Sequence, residues 1–223
     1  MPFSSVPMRK SSRSVTAMND PVAIAILAKA PVPGFAKTRL ISVLGAERAA
    51  LLQARLIARA ADTAFRAGVG PVTLWATPDE SDSLFQAIGH RYPITLARQS
   101  EGDLGARMLR AITAANGPAL VIGTDCPALT SDHLRRAADI LCRGSDAIIL
   151  PAEDGGYVLI GVRANQPAIF EHMRWGTAGV LGETRRRLQR LGLAWQEPVM
   201  LWDLDRPADI ERLRGIGLND LVS

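Results

Sequence analysis

The chain has 223 residues, 48% hydrophobic and 22% charged, the proportions of an ordinary soluble globular protein long enough for one domain with a full core. Its formal net charge is +4, and Arg9, Lys10 and Arg13 against Asp20 place +2 of that in residues 1–20, so the remainder does not argue for nucleic-acid binding and its scattered arginines read as solvated helix faces. No apolar run approaches the ~20 residues needed to span a bilayer, and Cys126 and Cys142 have no metal-type spacing, so a reduced pair in a cytoplasmic protein is expected.

Residues 1–20 are Ser-rich and weakly basic and lack the apolar core of a secretory signal, which predicts a disordered tail or a start at Met18. The fold is then expected as a single domain over 21–216. Val22–Leu27 is apolar throughout, the pattern of a strand buried on both faces. From Glu47 to Gly68, Leu51, Ala54, Ala58, Ala61 and Phe65 step by three and four, which predicts an amphipathic helix stopped at Gly68. Strands follow at 72–76 and 94–97, around a short helix from Ser81 to Gly89 with Ser81 as its cap. A helix over 104–115 leads to a buried strand at 119–123, and Ser131 is expected to cap a helix over 131–142. Strands at 147–150 and 157–160 are close enough for a hairpin. A helix over 179–191, a last strand at 199–202 and a short helix to Leu213 complete the chain. Strands alternating with helices predict a three-layer α/β/α fold with a mostly parallel sheet and one antiparallel departure.

Four polar clusters fall at the expected carboxyl ends of strands, the edge where open α/β sheets bind ligands. In Ala28-Lys-Ala-Pro-Val-Pro-Gly-Phe-Ala-Lys-Thr-Arg-Leu40 the prolines stiffen a loop, Gly34 permits close backbone approach, and Lys37 and Arg39 suit a diphosphate. Ala36 before Lys37 excludes a Walker A motif; the alternative is a stiff connector with two surface cations. Asp125, in Gly123-Thr-Asp-Cys-Pro-Ala-Leu-Thr130, follows a strand directly and suits a hard divalent cation that also binds phosphates, or else serves as a turn or cap residue. In Asp203-Leu-Asp-Arg-Pro207, carboxylates two apart on extended backbone face opposite ways, so one is expected in the site and the other on backbone or a helix cap. In Pro151-Ala-Glu-Asp-Gly-Gly-Tyr157, Gly155 and Gly156 present Glu153 and Asp154 to sugar hydroxyls or as a base, unless the segment is simply an Asp-Gly hairpin turn. Gly102, Asp103, Gly105 and Arg107 could close over a base or phosphate or form an ordinary helix start, and Trp175 stacks on a ring or packs. His90, His133 and His172 share no spacing and read as structural or surface residues.

These clusters, together with Leu159-Ile-Gly161, Trp175-Gly-Thr177 and Asp203-Leu-Asp-Arg-Pro-Ala-Asp209, resemble a family of GT-A-like transferases over roughly residues 22–214. Its members are glycosyltransferase-like proteins related to 2-phospho-lactate guanylyltransferases, also described as radical-SAM/selenodomain-associated transferases. Arg206 stands where the family more often has Thr, and Gly176 where Ser is common. The resemblance implies a nucleotide-diphospho-sugar transferase fold, a nucleotide on the N-terminal half and a divalent metal, Mg²⁺ or Mn²⁺, on Asp125 and Asp205.

On that basis the expected function is metal-dependent glycosyl transfer from a nucleotide sugar to a small-molecule acceptor. Ala28, Lys29, Gly34, Lys37, Arg39, Gly102 and Arg107 would hold the nucleotide, with Lys37 also neutralising the departing diphosphate. Glu153, Asp154, Gly155, Gly156, Tyr157, Trp175 and Thr177 would hold the sugar and acceptor, with Asp154 as the base. The alternatives are a nucleotidyltransferase releasing pyrophosphate from an NTP, for which Arg107 is the obvious extra cation, and a nucleotide-binding protein without turnover. No nucleic-acid partner and no membrane span are expected, and nothing in the sequence bears on oligomeric state.

Overall fold

The apolar runs become strands because each can bury both of its faces beneath helices. In the computed structural model, which describes residues 21–222, seven strands among the described residues form one sheet. They are β1 (Ala23–Lys29), β2 (Val72–Thr77), β3 (Thr95–Arg98), β4 (Ala119–Ile122), β5 (Ala147–Pro151), β6 (Tyr157–Val162) and β7 (Trp195–Gln196), in the order β3-β2-β1-β4-β6-β5-β7. Only β6 runs antiparallel to its neighbours, β4 and β5. The expected tail, residues 1–20, lies outside the described residues.

The helices are α1 (Ile41–Leu44), α2 (Ala46–Ala67), α3 (Ser83–Arg91), α4 (Leu104–Ala115), α5 (Ser131–Cys142), α6 (Val180–Arg190) and α7 (Pro207–Gly215). One sheet face packs through Ile24, Ile26, Leu74 and Leu120 against Ile57 and Ala61 of α2, Phe85 of α3 and Leu134 of α5. The other packs through Val121, Ile149 and Ile160 against Met108 and Ile112 of α4 and Leu181 and Leu188 of α6. The result is a three-layer α/β/α fold. No described helix is long and apolar enough to cross a membrane.

A third, smaller cluster lies beyond the sheet's carboxyl edge. Leu40, Leu52 and Leu56 pack there with Trp202, Leu204, Leu213 and Leu221, so residues past 216 join the same packed body. Fully burying a leucine contributes about 1.5–3 kcal/mol. This cluster presses the loop after β1 against the segment before α7, and so positions the site.

Three local expectations are corrected. The cap of α3 is Asp82, whose side chain accepts the Leu84 N–H at 2.9 Å, while Ser81 bonds Asp79. The cap of α5 is Thr130 rather than Ser131. The last strand is β7 at 195–196, pairing in parallel with β5. Of the expected strand at 199–202, only Leu201 forms a bridge, to Ala152, because the chain leaves the ladder around Pro198, which has no N–H to donate.

Candidate active site

From β1 the chain moves outward to β2 and β3 and then returns to β4 on the other side of β1. Such a reversal opens a crevice between the loops that follow β1 and β4. A cavity of about 590 Å³ occupies it, reached by Lys29 at the end of β1 and by Gly123, Thr124 and Asp125 after β4.

Three segments supply its charges. Lys37 adopts a left-handed backbone, φ 47° and ψ 45°, a conformation that side chains other than glycine, Asn or Asp seldom take. Its side chain is only 4% exposed, and its Nζ lies 2.7 Å from Asp125 Oδ1 and donates to the Leu204 carbonyl at 2.6 Å. The Leu204 N–H in turn donates to the Asp125 carbonyl at 2.8 Å. Arg39 pairs with Asp205. Lys29 Nζ donates to the Phe35 carbonyl at 3.1 Å and closes the loop on itself.

Asp203 and Asp205 both line the cavity, where strand alternation predicts only one. Past the Leu201 bridge the backbone is in no strand, so period-two facing does not hold. The capping role falls to Asp209, which accepts the Arg206 N–H at 2.7 Å and the Asp205 N–H at 3.0 Å. Burial pushes the Asp203 carboxyl up to about 7, and Asp125 and Asp154 push the same way against Lys37. Burial likewise pushes the Cys126 thiol up to about 12, with Asp203 adding to it, so this cavity cysteine stays protonated and unreactive.

Among the described residues no three His, Cys, Asp or Glu side chains converge to cage a metal ion. Asp125 and Asp205 nonetheless fit Mg²⁺ or Mn²⁺ in chemistry. Mg²⁺ typically takes one or two carboxylates and completes its shell with water and substrate phosphates. Both carboxylates are about half exposed at the cavity, and each already holds a side-chain cation.

The remaining candidates divide. Tyr157 lines the cavity, and Trp175 packs edge-on behind it with ring centroids 6.5 Å apart. Gly105 makes room for Trp175: a Cβ there would fall 2.9 Å from the indole nitrogen, so the Gly102–Met108 and Trp175–Thr177 motifs meet. Asp154 sits on the β5–β6 turn, its Oδ1 accepting the Gly156 N–H at 2.9 Å. Glu153 is drawn away into a bidentate pair with Arg212 of α7 at 2.7 and 2.8 Å, and that guanidinium lies 4.4 Å above the Trp202 ring. Gly155 serves packing, since a Cβ there would come 2.3 Å from the Ala178 carbonyl oxygen. Thr177 bonds the Arg174 carbonyl at 2.9 Å. Arg107 turns back on Gly102 O at 3.2 Å and Gln99 Oε1 at 3.4 Å. Gly34 forms a turn at φ +82°, and the carbonyl of buried Ala28 accepts from Gln99 Nε2 at 3.0 Å.

Sequence reasoning placed only one of Asp203 and Asp205 in the site, and missed Gln99 and a buried polar pair. Gln53 Nε2 of α2 lies 3.0 Å from Thr124 Oγ1, and both side chains line the cavity. The available signal was a glutamine on the buried face of an alanine-rich helix. The cavity lining also includes apolar side chains, among them Phe35, 67% exposed, Leu104 and Met108.

The family described as "Uncharacterized protein conserved in bacteria (DUF2064)" matches residues 60–177. Among solved structures, a candidate nucleotide-diphospho-sugar transferase from Desulfovibrio desulfuricans G20 is 28% identical, with a TM-score of 0.76 over 83% of both chains. A nucleotidyl transferase from Methanothermobacter thermautotrophicus is 17% identical, with a TM-score of 0.58 over 90% of this chain and 100% of its own. Glucosyl-3-phosphoglycerate synthase from Mycobacterium tuberculosis, solved with Mn²⁺, UDP and glucosyl-3-phosphoglycerate, is 12% identical, with a TM-score of 0.53 over 90% of this chain and 78% of its own. The last two show a shared fold alone. A search of curated proteins finds no match. The architecture is that of the nucleotide-diphospho-sugar transferases, and the chain belongs to the DUF2064 family.

Proposed function

We propose that the protein is a metal-dependent glycosyltransferase that uses a nucleotide-diphospho-sugar donor. The observation that carries this reading is the meeting of Lys37 and Arg39 with Asp125 and Asp205 in one cavity at the reversal of the sheet order. Asp125 and Asp205 would hold Mg²⁺ or Mn²⁺, which supplies positive charge to a bound diphosphate. Lys29 and Arg39 would add charge to the same phosphates as the nucleoside diphosphate departs. Tyr157 would border the sugar. Asp154, close enough to Asp203 to act on its charge, would stand on the acceptor side as base or hydroxyl ligand. The likeness to the Desulfovibrio protein supports a nucleotide-sugar donor, and that to the mycobacterial synthase supports a fold compatible with Mn²⁺ and UDP.

Nucleotidyl transfer is the second reading. Lys29 favours it, as a third cation on the cavity that a triphosphate could use. Arg107, the other cation that reading needs, is turned onto its own loop.

The test is a thermal-shift screen in Mn²⁺, comparing UDP-, GDP-, ADP- and CDP-sugars with the four NTPs, since a ligand of the folded state raises Tm. We expect one nucleotide sugar to raise Tm more than the NTP of its base, and Asp125→Asn to abolish the shift. A larger response to the NTP, with pyrophosphate released on turnover, would replace glycosyl by nucleotidyl transfer. A flat response to every compound would overturn both.

A further inference from the structure

Lys37 is an unusual residue to find buried here. The chain carries 23 arginines and only three lysines, Lys10, Lys29 and Lys37. Where a cation is needed this sequence writes arginine almost everywhere, yet it is an ammonium that is buried against Asp125 at the cleft. An ammonium is a compact point charge on a flexible stem, whereas a guanidinium is a wide planar fork. Its partners are a carboxylate oxygen at 2.7 Å and a main-chain carbonyl oxygen at 2.6 Å. Carboxylate and carbonyl oxygens are the donors a hard cation takes. The left-handed backbone at Lys37 is the conformational cost of delivering the side chain inward.

We propose that the Lys37 ammonium is the resident counter-ion of the cleft and competes with the divalent cation for Asp125. The proposal rests on the metal reading above and adds what the metal must displace. Without a cation, Lys37 neutralises Asp125 and ties its turn to Leu204, so the acidic loops stay assembled. A cation that takes Asp125 removes the ammonium's charged partner, and a bound diphosphate supplies another. Metal alone therefore binds weakly, and metal with diphosphate binds well.

The test measures Mn²⁺ binding to the full chain by electron paramagnetic resonance, with no nucleotide present. Lys37→Met is expected to bind Mn²⁺ about tenfold more tightly than wild type, since a positive charge beside the carboxylate is gone. Equal or weaker binding by the variant would overturn the competition. No Mn²⁺ bound by either protein, even with a saturating diphosphate, would instead overturn the metal reading itself. If the variant does not fold, reductive methylation of the wild type decides. Lys37 should be protected in metal-free protein and labelled once Mg²⁺ is added, with Lys29 as the internal reference. Labelling of Lys37 that does not change with Mg²⁺ would sink the proposal.

Discussion

His133 lies on the first turn of α5, where its Nδ1 accepts the Thr130 N–H at 3.2 Å and the Thr130 hydroxyl accepts the His133 N–H at 3.3 Å. Burial holds this imidazole below the usual histidine value of 6.5, with Asp132 opposing the shift and Arg136 adding to it. The folded state therefore prefers the neutral ring. Its contribution is present above the unfolded value and is lost as pH falls through the lower folded value. Between about pH 7 and pH 5, the Tm of wild type should fall more steeply than that of His133→Gln, whose side chain can still accept the cap bond. Parallel slopes in scanning calorimetry would refute this. Spacing alone marks His133 only as structural or surface, since the capping bond depends on where the helix begins. The site residues show the same limit. The placement of Lys37, Arg39 and Asp125 at one cavity was legible because their segment types and strand-end positions are local facts. The engagement of Glu153 with Arg212, 59 residues away, and the joint exposure of Asp203 and Asp205 to one cavity depend on chain paths that no local pattern contains.

Among the elements, buried strands and long amphipathic helices were legible nearly to the residue, α4 and α5 in full, because period and burial agree there. Caps were misplaced by one position where two candidate residues adjoin, Ser81 with Asp82 and Thr130 with Ser131. The short β7 was misplaced because its two residues pair with β5 by position, with no hydrophobic run to mark them. The junction of the β5–β6 turn with α6 carries its own prediction. Gly155 has φ +90°, its carbonyl accepts the Leu181 N–H at 2.9 Å, and a Cβ would strike the Ala178 backbone. Gly155→Ala should cost about 2–4 kcal/mol through backbone strain and overlap. Urea denaturation measures this, and a midpoint within error of wild type would show that the turn and α6 yield freely.

At the scale of the whole molecule, the two large cores build the sheet and the third builds the site. Leu204 and Leu188 are both fully buried, one in the third cluster and one on α6 in the second core. Replacing either by alanine should cost about 2–5 kcal/mol. Only Leu204→Ala should also weaken Mn²⁺-dependent nucleotide binding by the fraction that remains folded, because Leu204 carries the backbone that holds Asp125 and Lys37. Calorimetric titration well below Tm separates the two effects, and equal affinities in both variants would contradict that assignment. The third cluster also joins Leu40 to Leu221, near opposite ends of the described chain. During translation, when domains form as the chain emerges, β1 to β4 are complete long before residues 201–222 leave the ribosome. A nascent chain of that kind has a sheet and one wall of its cleft, but no Leu204 carbonyl to receive Lys37 and no Asp205 for Arg39. Competence to bind ligand therefore cannot precede the emergence of residues 201–222, which take about 1–4 s to add at about 5–20 residues per second.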